Sequence, residues 1–392
     1  MLRNPDYVLS LIVAFALGFV AVLALPVGGG DMRVRIAMQG SAGPGGVSIH
    51  YKSPAGPAER GVQGADARHL ANARIIPAPL PPAPRSRWSY PSMTRLVALA
   101  AAPFPYRGIV PRTRTRFLNF KKSGREGRKT RSGRVYWADK TYSDPRALLH
   151  IPRGFDPSRP SVMVLFFHGM GATLARDVVA RQRLPAQISE SGMNAILVAP
   201  QFAVDARDSS AGNFWKEGGT RRFLDEVAQQ LAKLQGNPQS AKVFASMPVV
   251  VVGYSGGYVP AAWTLANGGI EKRIKGVVLL DGLYGEIGKF ANWIERDKAG
   301  FFLSANANST RKGNASLKNM LARRGIAYNT KIGTSLTPGS VTFVEAVRRH
   351  RDYVTRAWSD NPVSDVLRRL PWVAQRRDPA ARSASLEPSL AR

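Results

Sequence analysis

Ser255 sits in the pentapeptide Gly253-Tyr254-Ser255-Gly256-Gly257, directly after the apolar run Pro248-Val249-Val250-Val251-Val252. A Gly-x-Ser-x-Gly turn between a buried strand and a helix forces the serine into a strained backbone geometry that exposes its hydroxyl above the sheet edge. Only small flanking residues tolerate that geometry. A serine so placed suits nucleophilic acyl transfer. That chemistry also needs a base to take the serine proton, an acid to orient the base, and two N–H donors for the oxyanion. In a chain with 37 glycines the pentapeptide is not diagnostic alone, so its partners decide the reading.

One candidate is available for each partner role. The base follows the acid in the chain order nucleophile, acid, base, and of the five histidines only His350 lies beyond Asp281. His50 and His69 fall in a Pro/Gly/Arg-rich stretch, His150 in an early strand, and His168 in a glycine loop. The orienting carboxylate is Asp281, at the end of the apolar run that follows the serine helix, with Glu286 as the alternative. An Asp-Gly pair also reads as an ordinary turn. Gly256, opening the helix after the serine, offers the first oxyanion N–H. The second comes from His168-Gly169-Met170-Gly171, through Met170 or alternatively Gly169. His168, Tyr254, Gln201 and Trp215 are candidates for the substrate pocket, although Trp215 and its neighbours Phe202 and Phe214 suit core or lid packing equally well. Asp205, Asp208 and Glu217 lack the spaced His or Asp partners of a metal site and read as loop carboxylates. No metal or cofactor is expected.

The elements that must position these residues are strands and helices in alternation. From about residue 132 onward, apolar runs of strand length, Val162–Phe167, Ala195–Ala199, Val249–Val252, Gly276–Leu280 and Gly300–Leu303, alternate with helix-length amphipathic segments. Continuous apolar runs suit strands covered on both faces. Phe223, Val227, Leu231 and Leu234 recur at helical spacing and predict one apolar stripe on a helix. In such open sheets functional residues collect beyond the carboxyl ends of the strands. His168, Gln201, Ser255 and Asp281 all fall there. Val341–Val344 predicts a strand before His350, with a helix after it.

The remainder of the chain predicts appendages. Val8 to Leu25 carries no charge and, as a helix, crosses about 27 Å of hydrocarbon. We expect an uncleaved membrane anchor, with a signal segment as the alternative, within residues 1–30, of undetermined orientation, and a membrane-anchored or exported protein of a bacterial-type envelope. Residues 31–132 are rich in Pro, Gly and Arg and predict a largely disordered linker. A weak export-like signal at Met93 leaves open that residues 1–92 precede the true start. Residues 133–375 form the expected folded domain and 376–392 a disordered tail. With no cysteine, disulfides, thiolate metal sites and cysteine nucleophiles are excluded. The formal net charge of +30 points to polyanionic partners. Basic residues are densest from Arg107 to Arg134, a candidate contact for anionic lipid or polymer. No nucleic-acid-binding signature accompanies them.

The expected folded part resembles the α/β-hydrolase superfamily, and Ala147–Asp156 followed by Val162–Gly171 is most similar to its esterase branch, including carbohydrate esterases. The resemblance covers roughly residues 133–372. It implies a three-layer sandwich around a mostly parallel eight-stranded sheet, a Ser255-Asp281-His350 triad and no required metal. Two departures stand out: the acid follows the strand immediately after the serine helix, the less usual placement, and the three-glycine oxyanion motif is absent. The resulting expectation is a serine hydrolase cleaving a small-molecule or polymer-linked ester through an acyl-enzyme. Amidase or acyltransferase activity with the same residues is the near alternative. A non-catalytic protein that grips anionic envelope polymer or lipid on this scaffold is the distant one.

Overall fold

The computed structural model describes residues 21–26, 32–37, 47–48 and 92–376, and the chain divides into two units, Met1–Pro81 and Pro82–Arg392. In the first unit, Ala21–Pro26 pairs antiparallel with Met32–Ala37, which pairs with Val47–Ser48. A helix was expected over residues 8–25. Residues 8–20 lie outside the described residues, and the remainder is this strand. Among the described residues no helix is long and apolar enough to cross a membrane. The expected tail from 377 onward lies outside the described residues, as do 49–91 of the expected linker.

The second unit is built on eight strands: β1 (Met93–Ala98), β2 (Arg146–Ile151), β3 (Val162–Phe167), β4 (Ala195–Pro200), β5 (Val249–Tyr254), β6 (Ile274–Leu280), β7 (Phe301–Asn306) and β8 (Val341–Glu345). Their order across the sheet is β1-β2-β4-β3-β5-β6-β7-β8. The β1 and β2 pairings are antiparallel and all others parallel. Every residue of β3, β4, β5 and β7 is buried, because helices cover both faces.

Strand side chains alternate between those faces, and the core is accordingly split in two. Met163, Leu165, Phe167, Val249, Val251, Val277 and Leu279 meet the helix Gly219–Gln235 through Phe223, Val227 and Leu231. The helices Tyr258–Asn267 and Ile287–Arg296 share that side. Val162, Val164, Phe166, Val250, Val252, Val278 and Leu280 meet Leu174, Val178, Leu184, Ile188 and the helix Pro362–Arg368. This is the three-layer sandwich that the apolar runs predict.

The boundary expected at residue 133 is corrected by the structure. Residues 92–132 contain β1, which pairs with β2 along its full length from Met93↔Ile151 to Ala98↔Arg146. The same stretch contributes Leu99, Phe104, Tyr106 and Phe117 to the core. Two small antiparallel sheets follow: Ile109–Val110 with Thr115–Arg116, and Phe120–Lys122 with Arg125–Lys129 and Val135–Trp137. A few well-spaced aromatics suffice to order a segment whose composition is otherwise that of a linker. Phe117 lies 4.8 Å, ring to ring, from Tyr142 and 5.6 Å from Phe104.

Candidate active site

Parallel register brings the chemistry to one edge. Tyr254 pairs with Leu280 and Leu280 with Ala305, while Asn306 pairs with Glu345. The residues just past the ends of β5, β6, β7 and β8 therefore stand side by side. Ser255 leaves β5 with φ of 51°, and Asp281 leaves β6 with φ of 42°. Both lie in the left-handed region that non-glycine residues rarely enter, a strain that clusters at functional sites. Gly257 makes the serine turn possible, since a Cβ there would sit 2.1 Å from the carbonyl oxygen of Phe167. The turn is thereby pressed against the end of β3.

Three side chains meet at this edge. The Ser255 Oγ and His350 Nε2 are 2.8 Å apart, and His350 Nδ1 and Asp281 Oδ2 are 2.5 Å apart. Ser255 is 6% exposed and Asp281 fully buried. Burial pushes the Asp281 carboxyl upward, but hydrogen bonds from His350, Ser309, Thr310 and the Ala307 N–H outweigh it and hold the group below its ordinary value. The Ser309 hydroxyl donates to Oδ2 at 2.6 Å, the Ala307 N–H to Oδ1 at 3.1 Å, and Thr310 also donates to Oδ1. With His350 as a fourth donor the buried carboxylate is fully engaged. Glu286, the alternative acid, pairs instead with Lys289 at 2.5 Å.

His350 belongs to a short 3-10 turn, His350–Asp352, in place of the expected helix start. Its carbonyl accepts the Tyr254 hydroxyl at 3.1 Å, and the two rings stack at 5.2 Å and 24°. Tyr254, expected from the sequence as a pocket residue, is engaged in holding the histidine.

Two more pocket candidates are corrected in the same way. His168 is 3% exposed: its Nδ1–H donates to the Gly169 carbonyl at 2.8 Å and its Nε2 accepts the Phe202 N–H at 2.9 Å. Burial lowers its pKa. Gln201 donates to the Ala172 and Phe202 carbonyls, each at 3.1 Å, and accepts the Leu174 N–H at 2.9 Å. Both side chains are spent on fixing the loop 168–174. Trp215 packs edge-on against Tyr106 at 5.5 Å and Phe117 at 5.9 Å, in the core that residues 92–132 complete. His150 is likewise structural: it bridges Thr94 and Ser189, and burial, with Arg376 nearby, lowers its pKa to about 4.

The loop so fixed lies against the serine turn. A Cβ on Gly169 would come within 2.9 Å of the Ser255 Cβ, and a Cβ on Gly256 would lie 3.3 Å from the Met170 nitrogen. The Met170 and Gly256 N–H groups are thus neighbours beside Ser255. Gly256 also falls in the first turn ahead of the helix Tyr258–Asn267, where N–H groups lack intrahelical partners. The Met170 side chain is 47% exposed, as is Tyr284 at 45%, whose ring stands edge-on to His350.

Sequence reasoning missed Ala307, Ser309, Thr310 and Tyr284. The run Asn308-Ser309-Thr310 carries no carboxylate and so gives no signal of its own, yet hydroxyls before a helix are what a neighbouring buried acid needs. The basic run from Arg107 to Arg134 is folded and in part neutralised. Arg107 pairs with Glu126, Arg125 with Asp139 at 2.8 Å, and Arg128 with Asp208 at 3.2 Å. Among the described residues no group of three or more His, Cys, Asp or Glu side chains is arranged to hold a metal.

No protein-family model matches the sequence, and no curated protein matches it significantly. Solved structures do. The feruloyl esterase module from Clostridium thermocellum is 17% identical, with 68% of this chain and 96% of that one covered and a TM-score of 0.40. An S-formylglutathione hydrolase from Agrobacterium tumefaciens is 13% identical, covering 64% and 98% at a TM-score of 0.36. A carbohydrate esterase from gut microbiota is 10% identical, covering 57% and 90% at a TM-score of 0.35. The sheet order, the antiparallel β1 and β2 edge and the strand-turn-helix at Ser255 together give this chain the fold of the α/β-hydrolase superfamily.

Proposed function

We propose that the protein is a serine hydrolase that cleaves carboxylic esters through an acyl-enzyme. The observation that carries this reading is the chain of contacts from Ser255 Oγ to His350 Nε2, and from His350 Nδ1 to Asp281 Oδ2, at 2.8 and 2.5 Å. A buried ionised carboxylate beside Nδ1 keeps the proton on that nitrogen and leaves Nε2 free to accept one. Ser255 attacks the ester carbonyl as its proton passes to His350. The carbonyl oxygen becomes an oxyanion that the Gly256 and Met170 N–H groups receive. Collapse of the tetrahedral intermediate breaks the bond to the alcohol, which leaves with the proton from His350. Water, deprotonated by the same nitrogen, then releases the acid and regenerates Ser255.

A fluorophosphonate probe is expected to label the wild-type protein and to leave Ser255→Ala unlabelled. Equal labelling of both proteins would end this reading. Matched ester, amide and alcohol-acceptor assays separate hydrolysis of esters from amidase or transferase activity.

A further inference from the structure

Two serines stand side by side in the loop after β4, and only one of them has a structural task. The Ser210 hydroxyl and N–H donate to Asp208 Oδ1 at 2.6 and 2.8 Å. Asp208 Oδ2 accepts the Tyr142 hydroxyl at 2.6 Å and pairs with Arg128 at 3.2 Å. Ser209 is half-buried, and its hydroxyl makes no hydrogen bond among the described residues. Such a hydroxyl keeps its donor for a bound molecule. Its surroundings give that freedom a use. The Ser209 Cβ lies 3.1 Å from the point where a Cβ on Gly256 would stand, and the Met170 nitrogen lies 3.3 Å from the same point. The Ser209 side chain is thus a neighbour of both residues whose N–H groups receive the oxyanion in the mechanism proposed above.

The loop carrying Ser209 is also tied to the loop carrying Met170. The Gly171 N–H donates to the Ala206 carbonyl at 2.8 Å. Arg176 bridges the two loops, donating to the Gly171 carbonyl at 2.7 Å and to Asp205 Oδ1 at 2.8 Å. With Asp208 clamped at the next position, the backbone at Ser209 is fixed relative to Met170 before any ester binds. A donor fixed in advance costs no reorganisation when charge develops on the carbonyl oxygen. We propose that the Ser209 hydroxyl is a third donor to that oxyanion, beside the Gly256 and Met170 N–H groups, a catalytic role that rests on the serine-hydrolase reading above. Rotation about χ1 alone directs the hydroxyl. Ser209 donates a hydrogen bond and keeps its proton throughout; the proton transfers stay with Ser255, His350, the alcohol and water.

The test compares kcat/KM for phenyl acetate with that for its thionoester, O-phenyl thionoacetate, in which a sulfur replaces the carbonyl oxygen and accepts hydrogen bonds weakly. Ser209→Ala is expected to lower kcat on the oxygen ester by about ten- to hundred-fold, the range for a hydrogen bond to a charged group, with KM little changed. On the thionoester the same variant is expected to lose little, because the contact it removes was weak there from the start. The hydroxyl has no partner in the fold, so Ser209→Ala is expected to melt with the wild-type protein. Ser210→Ala supplies the contrast: it takes a donor from Asp208, and its effect is expected to appear in Tm and to fall equally on both esters. An unchanged kcat in Ser209→Ala, or equal losses on the oxygen ester and the thionoester, would each overturn the role. If Ser255 labels and wild-type protein cleaves phenyl acetate no faster than Ser209→Ala, only this role falls; if wild-type protein neither labels nor cleaves, the hydrolase reading falls with it.

Discussion

Two turns at the sheet edge, one holding Ser255 and the other Asp281, share a backbone strain and differ in what sustains it. Each follows a fully buried strand end, and each puts a non-glycine residue at positive φ. The serine turn is sustained by close backbone packing: Gly257 passes so near the Phe167 carbonyl at the end of β3 that any side chain would collide. The aspartate turn is sustained from a distance. Its side chain is held by Ala307, Ser309 and Thr310 beyond β7 and by His350 beyond β8. Strain that requires a glycine beside the strained residue can be read from a motif. Strain kept by a tertiary cradle cannot.

The sharpest way to break the comparison is to remove the groups proposed to react. Ser255→Ala is expected to lower kcat on esters on the order of 10⁶-fold, as for loss of a serine nucleophile elsewhere. Residual turnover near wild type would place the chemistry at another residue. Asp281→Asn keeps the shape of the second turn but lets the amide donate to His350, fixing the wrong tautomer, so kcat is expected to fall about 10⁴-fold with KM little changed. A loss no greater than tenfold would make Asp281 a turn residue only.

The glycines test the local half of the contrast. Gly257→Ala forces the serine turn off the end of β3 and is expected to cost ~3 kcal/mol in urea unfolding, as overpacking does. Gly282→Ala meets its nearest neighbours, the Gly253 and Ser255 carbonyl oxygens, at 3.2 and 3.3 Å, so its cost is expected to be smaller. The reverse order would show that the second turn, not the first, is locally constrained.

The cradle tests the distant half, with the smallest effect. In Ser309→Ala/Thr310→Val, Asp281 loses two donors, and stability at pH 7 is expected to fall by about 1 kcal/mol per bond. The sign with pH follows from the lowered Asp281 pKa. A carboxylate with a depressed folded pKa contributes stability above its unfolded value, near 3.9, and that contribution disappears as pH falls through the folded value. The deficit of the double variant is therefore expected to shrink in Tm measurements as pH drops below about 4. A deficit constant from pH 7 to pH 3 would mean the hydroxyls act on packing and not on the charge.

Much of the second unit was legible because its signals are periodic or local. The runs at Val162, Ala195 and Val249 are apolar on both faces, and burial on both faces is what the structure gives them. Phe223, Val227 and Leu231 mark the buried stripe of their helix. Residues 92–132 misled because composition averages over position. The stretch is basic and rich in small residues, yet Phe104, Tyr106 and Phe117 lie where they close the core beside Tyr142 and Trp215. His168, Gln201 and Tyr254 misled for a related reason. A polar side chain at a strand end can face a substrate or brace a loop, and its type is the same in both cases.

By itself the sequence determined which side chains stand at the strand ends and in what order, because strand period and turn chemistry are local properties of the chain. It determined Ser255 through two glycines and a strand, and singled out His350 by the scarcity of histidine. Tertiary structure alone decided that Asp281 is cradled by Ala307, Ser309 and Thr310 and that Tyr254 braces His350. Those contacts join residues 26 to 96 positions apart, or sit across loops whose course no local pattern specifies. They depend on parallel register, which stacks strand ends into one edge regardless of their distance along the chain.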